Sequence, residues 1–303
     1  MIENVKVVDL FCGCGGLSAG FTAAGFEVVG AFDNWAPAID VYNDNLEDDA
    51  ESLDLSDLDG VFQRLDALFE GHEIGGIIGG PPCQDFSSAG KRIEADRADL
   101  TEKYAAIVAR YRPSFFLMEN VPRAQKARAF RRAICVLEEA GYGITEQVID
   151  ASLCGVPQRR KRLITVGFLG CNAGGAPFAK ELLRNLSERP MTMRDYFGDG
   201  LGTEFIYRHP RSYARRAIFS IDEPCPTVRG VNRPIAPGYP GHPGDASSVS
   251  EARPLTTEER ARVQTFEGWS WSGAKTDREQ MIGNAVPVNL AKYVAESILR
   301  FDQ

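Results

Sequence analysis

The 303-residue chain carries 34 basic and 42 acidic side chains, a net charge of −8 that on its face speaks against a polyanionic partner. The sum conceals an asymmetry: residues 1–80 hold 2 basic and 16 acidic side chains, whereas the rest hold 32 and 26. The length exceeds one ordinary domain and supports a large core, and no stretch reads as a membrane span or a leader peptide.

Short apolar runs alternate with helix-period segments through the first half. Val5 to Phe11 reads as a strand, Leu17 to Ala24 as a helix, Val28 to Phe32 as a strand and Ala36 to Asn43 as a helix. Gly76 to Ile78 is a further strand, Leu100 to Tyr111 a helix, Phe115 to Met118 a strand and Ala129 to Ala140 a helix. Ile144 to Ile149 and Leu163 to Phe168 complete the series as strands. This alternation predicts an α/β fold, a mostly parallel sheet covered by helices on both faces. From Gly170 to Arg253 the periodicity gives way to prolines, glycines and arginines, which predicts a loop-rich module. Ten of the eleven basic residues between Leu169 and Arg253 are arginine, a choice suited to forked hydrogen bonds with phosphates or guanine edges. Order returns at Pro254: Thr256-Thr257-Glu258-Glu259 reads as a helix start with a threonine cap ahead of carboxylates, and Asn289 to Phe301 reads as a final helix.

Four segments carry chemistry. Gly79-Gly80-Pro81-Pro82-Cys83-Gln84 ends an apolar run in two prolines, which cannot continue a sheet and so present Cys83 at the strand's tip. A thiol there is either a nucleophile or a small buried apolar residue. Asp9 to Gly16 forms a glycine-rich turn between strand and helix, where the backbone can approach a nucleotide. Ser18 stands where a dinucleotide fingerprint needs glycine, which disfavours NAD. Asp33 ends the next strand, placed to accept hydrogen bonds from ribose hydroxyls, and Asp54 follows the next helix. Glu119 and Asn120 sit at the carboxyl end of an apolar strand, where open α/β sheets keep their ligands. Glu119 either caps the next helix or pairs with Arg123, or donates a proton or hydrogen bond to a ring nitrogen. In Gln158-Arg159-Arg160-Lys161-Arg162, alternation in an extended run points Arg160 and Arg162 the same way, and leaves Arg159 and Lys161 as a solvated patch. The seven cysteines are scattered, which suggests reduced thiols in a cytoplasm. With three histidines and no second cysteine pair beside Cys12 and Cys14, no metal site is expected.

Taken in order, Asp9–Gly16 (DLFCGCGG), Gly79–Arg92 (GGPPCQDFSSAGKR), Met118–Val121 (MENV), Gln158–Arg162 (QRRKR), Thr256–Phe266 (TTEERARVQTF) and Ile282–Leu290 (IGNAVPVNL) resemble the DNA (cytosine-5) methyltransferases, of the bacterial restriction–modification type. The resemblance spans nearly the whole chain. It implies a Rossmann-like, S-adenosylmethionine-dependent methyltransferase domain at 1–169 and 280–303. A smaller, loop-rich target-recognition domain with its hinge would take 170–279, with a cleft for DNA. By the same resemblance Cys83 would be the nucleophile toward cytosine carbon 6, and Glu119 would hold ring nitrogen 3. Arg160 and Arg162 would hold the base and its phosphate, and Asn120 would order the Pro-Cys loop. The cofactor site would comprise Phe11, Gly13, Gly15, Gly16, Leu17, Asp33, Asn34, Asp54, Leu55, Pro82, Leu100, Asn284 and Ala285. Gln84, Ser87, Ser88, Lys91, Arg92 and Arg97 would contact DNA from a loop closing on a flipped base. Thr227, Arg229 and Arg233 would read bases. Glu267-Gly268 departs from the proline and aspartate more usual there, which bears on a hinge and not on the catalytic centre. The implied partners are double-stranded DNA and a companion restriction endonuclease, with no membrane, a cytoplasmic location and a monomeric state. A transfer-RNA cytosine methyltransferase and a catalytically silent nucleic-acid binder stand as alternatives.

Overall fold

The computed structural model describes residues 5–47, 49–82, 94–171 and 175–301, excepting the side chains of residues 94–99 and 175–176. The chain runs β1 (Lys6–Leu10), α1 (Gly16–Ala23), β2 (Glu27–Asp33), α2 (Ala36–Asn45), β3 (Ala50–Ser52), α3 (Leu58–Gly71) and β4 (Ile74–Gly79). It continues through α4 (Glu94–Tyr111), β5 (Phe115–Asn120), α5 (Arg128–Glu139), β6 (Tyr142–Asp150), β7 (Gln158–Arg159) and β8 (Lys161–Leu169). Then come α6 (Gly175–Arg184), α7 (Met193–Phe197), β9 (Phe205–Tyr207), β10 (Ile218–Ser220), β11 (Cys225–Pro226) and β12 (Ala252–Pro254). The last elements are α8 (Thr257–Val263), α9 (Lys275–Asn284) and α10 (Val288–Phe301).

Two compact units divide the chain. The first comprises Met1–Ile149, Lys161–Asn185 and Ala291–Gln303, and the second Asp150–Arg160 and Leu186–Leu290. The first is built on a seven-stranded sheet of order β3-β2-β1-β4-β5-β8-β6. Its pairs from β3 to β5 are parallel, and β8 runs antiparallel to β5. The alternating pattern therefore gives the expected mostly parallel α/β sheet. Strand order reverses between β1 and β4, and in open sheets such a switch point opens a crevice at the carboxyl ends of the strands.

Periodicity explains the helices that cover the sheet. In α5, Phe130, Ala133 and Leu137 fall on one face and are all buried. Helix α3 and strand β3 were not anticipated, although Val61, Leu65 and Leu68 of α3 have helical spacing and are buried. Burying one such leucine contributes roughly 2 kcal/mol. Buried Tyr104 of α4 braces the sheet: its hydroxyl lies 2.7 Å from the Leu117 carbonyl and 3.0 Å from that of Ile77, in adjacent strands.

The second unit differs in its bounds from the 170–279 module expected: residues 170–185, with α6, fall in the first unit, whereas Asp150–Arg160 and the segment through Leu290 fall in the second. The stretch also contains short elements that periodicity did not reveal. These are the sheet β10-β9-β12, the pair β11-β7, and α7, whose Thr192 and Asp195 form a capping box. Helix α8 begins as read from the sequence: Thr256 Oγ1 accepts from the Glu259 amide, and Glu259 accepts from the Thr256 amide. Below it, Arg260 and Glu279 form a buried ion pair, to which the Thr257 hydroxyl donates at 2.8 Å. Among the described residues no helix is long and apolar enough to cross a membrane.

Candidate active site

Parallel pairing brings three of the four chemistry-bearing segments together. Leu10 of β1 is in register with Gly79 of β4, and Gly79 with Met118 of β5. The residues that follow are therefore neighbours: Phe11 to Gly16 after β1, Gly80 to Pro82 after β4, and Glu119 and Asn120 closing β5. This is the switch point of the sheet.

Glu119 is 8% exposed, and its Oε1 lies 2.7 Å from Arg162 Nε. Its partner is thus the arginine that opens β8, brought alongside by the antiparallel pairing of Asn120 with Leu163, and not Arg123. Burial pulls the Arg162 guanidinium below its usual range, while the Glu119 charge and hydrogen bond push the other way. The other carboxylate oxygen, Oε2, faces Gly80: a Cβ built there would sit 3.4 Å from it. Asn120, 5% exposed, donates from Nδ2 to the Pro81 carbonyl at 2.9 Å and accepts the Val121 amide at 2.8 Å. One side chain thereby fastens the end of β5 to the segment that leads into Cys83. Cys83, Gln84, Ser87, Ser88, Lys91 and Arg92 lie outside the described residues, as does the side chain of Arg97, whose backbone belongs to α4.

The glycine-rich turn is held by Asp33, which accepts the Gly13 amide on one oxygen at 2.9 Å and the Trp35 amide on the other at 2.9 Å. Phe11, Gly13 and Gly15 all take positive φ, at 62°, 54° and 95°. Gly13 borders open space, since a Cβ there would meet nothing within 4 Å. Gly16 and Leu17 are buried in the first turn of α1. Asn34 and Pro82 are exposed and half-buried, Leu55 is buried, Leu100 is half-buried, and exposed Asp54 is held below its usual range by its hydrogen bonds with Ser56. Asp9, wholly buried, accepts the Ser18 hydroxyl at 2.7 Å, and burial pushes its carboxyl up to about 7.

Arg160 does not behave as its place in the run suggested. It is 1% exposed and donates to the carbonyls of Val228 (3.1 Å), Gly283 (2.9 Å) and Ala285 (3.0 Å), all within the second unit. A guanidinium so enclosed is not presented to a base or a phosphate. The strict alternation failed because the chain leaves β7 before β8 begins at Lys161. Asn284 is exposed at the end of α9, and Ala285, half-buried, supplies a carbonyl to Arg160.

The second unit also holds a cavity of about 460 Å³. Its lining includes Arg229 and Arg233, as well as Arg208, His209 and Arg211. Arg208 is lowered to about 10 by burial and by the charges of Arg229, Arg211 and Arg215. Burial, with Arg233 and Arg229, also lowers His209. Arg229 donates to the His209 carbonyl, and the Thr227 hydroxyl donates to the Arg159 carbonyl at 2.7 Å. The sequence reading passed over Arg208, His209 and Arg211; the density of arginine from Arg208 to Arg216 was the signal that marked them.

Residues 5–300 match the model of the family described as C-5 cytosine-specific DNA methylase. The chain is 51% identical to the type II methyltransferase M.HgiDI of Herpetosiphon aurantiacus, over 97% of this chain and 94% of that one. It is 50% identical to the type II methyltransferase M.HindV of Haemophilus influenzae, over 99% and 98%. Among solved structures, the S. pombe Dnmt2 methyltransferase shares the fold, with a TM-score of 0.72 at 18% identity over 99% of this chain and 100% of that one. The chain belongs to the C-5 cytosine-specific DNA methylase family and is a DNA cytosine methyltransferase.

Proposed function

We propose that the chain transfers a methyl group from S-adenosylmethionine to carbon 5 of a cytosine flipped out of a short specific duplex sequence, through a covalent bond to Cys83. The observation that carries this reading is the Glu119–Arg162 ion pair beside Gly80, with Asn120 holding Pro81 two residues before Cys83.

The chain's residues suit the cofactor. A turn fastened by Asp33, with open space beside Gly13, gives backbone access for a nucleoside, and the Asp33 carboxylate keeps acceptor capacity for ribose hydroxyls. Phe11, Gly15, Gly16, Leu17, Asn34, Asp54, Leu55, Pro82 and Leu100 would line that site, with Asn284 and Ala285 as further candidates. When bound, S-adenosylmethionine supplies a methyl group activated on a sulfonium.

Carbon 5 of cytosine is too weak a nucleophile to take that methyl group unaided. The Cys83 thiolate forms a bond to carbon 6, which moves electron density onto carbon 5. Glu119, whose Oε2 is directed toward Gly80, donates a proton to ring nitrogen 3 and so stabilises the negative charge that develops on the ring as sulfur adds. Arg162 holds Glu119 in place and faces the base or its phosphate. After methylation, a water molecule takes the proton from carbon 5, the sulfur–carbon bond breaks with its electron pair returning to the Cys83 thiolate, and aromatic 5-methylcytosine leaves. A base within a duplex cannot present its face to a thiol, so flipping is required. Gln84, Ser87, Ser88, Lys91, Arg92 and Arg97 would hold phosphates, and Thr227, Arg229 and Arg233 would read the sequence. A type II restriction endonuclease of matching specificity is the proposed partner.

The test is methyl transfer from labelled S-adenosylmethionine to duplex DNA and to transfer RNA, followed by bisulfite sequencing. Label at cytosines of one short DNA motif supports the reading. Label confined to RNA, or no label with cofactor bound, overturns it.

A further inference from the structure

Four segments distant in sequence meet on buried polar side chains of the second unit. Arg160 donates to Val228, Gly283 and Ala285. Gln158, wholly buried, accepts the Val228 amide at 2.8 Å and donates to Gln264 Oε1 at 2.7 Å. Gln264, equally buried, donates in turn to the Ile282 carbonyl and, at 3.3 Å, to that of Ala285. Backbone packing closes the same junction: a Cβ at Gly283 would lie 2.2 Å from both the Arg229 carbonyl carbon and the Gly230 nitrogen. Only glycine lets α9 approach that turn so closely. Gly230 rests in turn on Gln280, its Cβ position 3.4 Å from that residue's Cα.

We propose that Arg160 is a positioning residue for sequence recognition: it sets the Thr227–Gly230 turn in a fixed register on the Gly283–Ala285 segment, and so determines where Thr227 and Arg229 face the bases. This rests on the reading of that turn as a base reader, and assigns Arg160 a role away from the reacting cytosine. The guanidinium suits the task because its donors diverge in a rigid plane and reach three carbonyls at once. A lysine ammonium has no such planar fork. Base discrimination by hydrogen bonding depends on donors held in place, so a loosened turn loses selectivity before it loses the chemical step.

The experiment compares wild type with Arg160→Lys on the duplex motif identified by bisulfite sequencing and on the same duplex with one outer base pair changed. The ratio of kcat/KM between the two duplexes should fall on the order of 10-fold or more in the variant. Single-turnover methyl transfer at saturating cognate DNA, and KM for S-adenosylmethionine, should stay within a factor of about 3. If Arg160→Lys does not fold, Gly283→Ala displaces the same turn from its other side, and the same loss of discrimination is expected. An unchanged ratio in a folded variant overturns the inference, as does a collapse of the single-turnover rate with discrimination intact, which would put Arg160 at the chemistry. A wild-type enzyme that methylates no DNA would instead refute the functional reading itself.

Discussion

Arg162 Nε lies 2.7 Å from Glu119 Oε1, and the pair stands where β5 ends and β8 begins, facing the Gly80–Pro82 segment. The contact fixes the orientation of a carboxylate whose second oxygen remains directed toward Gly80. Glu119→Gln keeps the shape but removes the carboxyl proton that is to be donated to ring nitrogen 3 as negative charge develops on the ring. We predict a fall in kcat of roughly 10²- to 10³-fold, read by single-turnover methyl transfer. A rate within a factor of about 3 of wild type would remove Glu119 from the mechanism.

Asn120 performs two separable tasks, donating to Pro81 and accepting from Val121. Asn120→Asp retains the acceptor and loses the donor. Loss of that buried bond is worth about 1–3 kcal/mol locally. The expected result is a methyl-transfer rate reduced by about 10-fold or more, with cofactor affinity nearly unchanged in titration calorimetry. An equal loss in both would mean that the tie supports the whole sheet end and not the loop alone.

Asp9 gives a pH signature. Its carboxyl titrates near 3.8 when unfolded and near 7 when folded, because burial disfavours the charge. The folded state therefore holds the extra proton between these values, and this residue's contribution to stability falls as pH rises from about 4 to 7. Asp9→Asn should lack that slope, and above pH 7 should exceed wild type by on the order of 4 kcal/mol at most, at about 1.4 kcal/mol per pH unit. Denaturant unfolding of both proteins from pH 4 to 8 decides it, and parallel pH curves would contradict the assignment.

Thiol reactivity should divide by burial. Burial pushes Cys14, Cys154 and Cys225 up to about 12 and holds Cys12 well above the usual thiol range, whereas Cys135 is exposed. Iodoacetamide at pH 8 should label Cys135 within minutes and leave these four unmodified until the protein is denatured. Early labelling of Cys14 or Cys225 in native protein, mapped by mass spectrometry, would contradict the packing described.

Most of the sheet was legible in the sequence because its strands from β1 to β6 alternate with helices, such as α5, whose Phe130, Ala133 and Leu137 repeat at helical spacing. Helix α3 escaped notice for a local reason: it follows the acidic stretch from Asp44 to Asp57, whose polarity obscured Val61, Leu65 and Leu68. Glu119, Asn120 and Asp33 were readable because strand ends are where such sheets place polar side chains. Arg160 was not. An arginine in an extended basic run reads as facing solvent or substrate, and only tertiary structure brings the carbonyls of Val228, Gly283 and Ala285 to it. The strands between Gly170 and Arg253 were obscured by their brevity, since three-residue strands such as β9 and β10 carry too few positions to show a period.

The covalent step is tested most directly with a duplex containing 5-fluorocytosine at the methylated position. Fluorine replaces the proton that must leave carbon 5, so the sulfur–carbon bond cannot be undone after methylation. Incubation with S-adenosylmethionine, digestion and mass spectrometry should find the modified nucleotide attached to Cys83, and Cys83→Ala should give neither adduct nor methyl transfer. An adduct at another residue, or full turnover by Cys83→Ala, would contradict the mechanism.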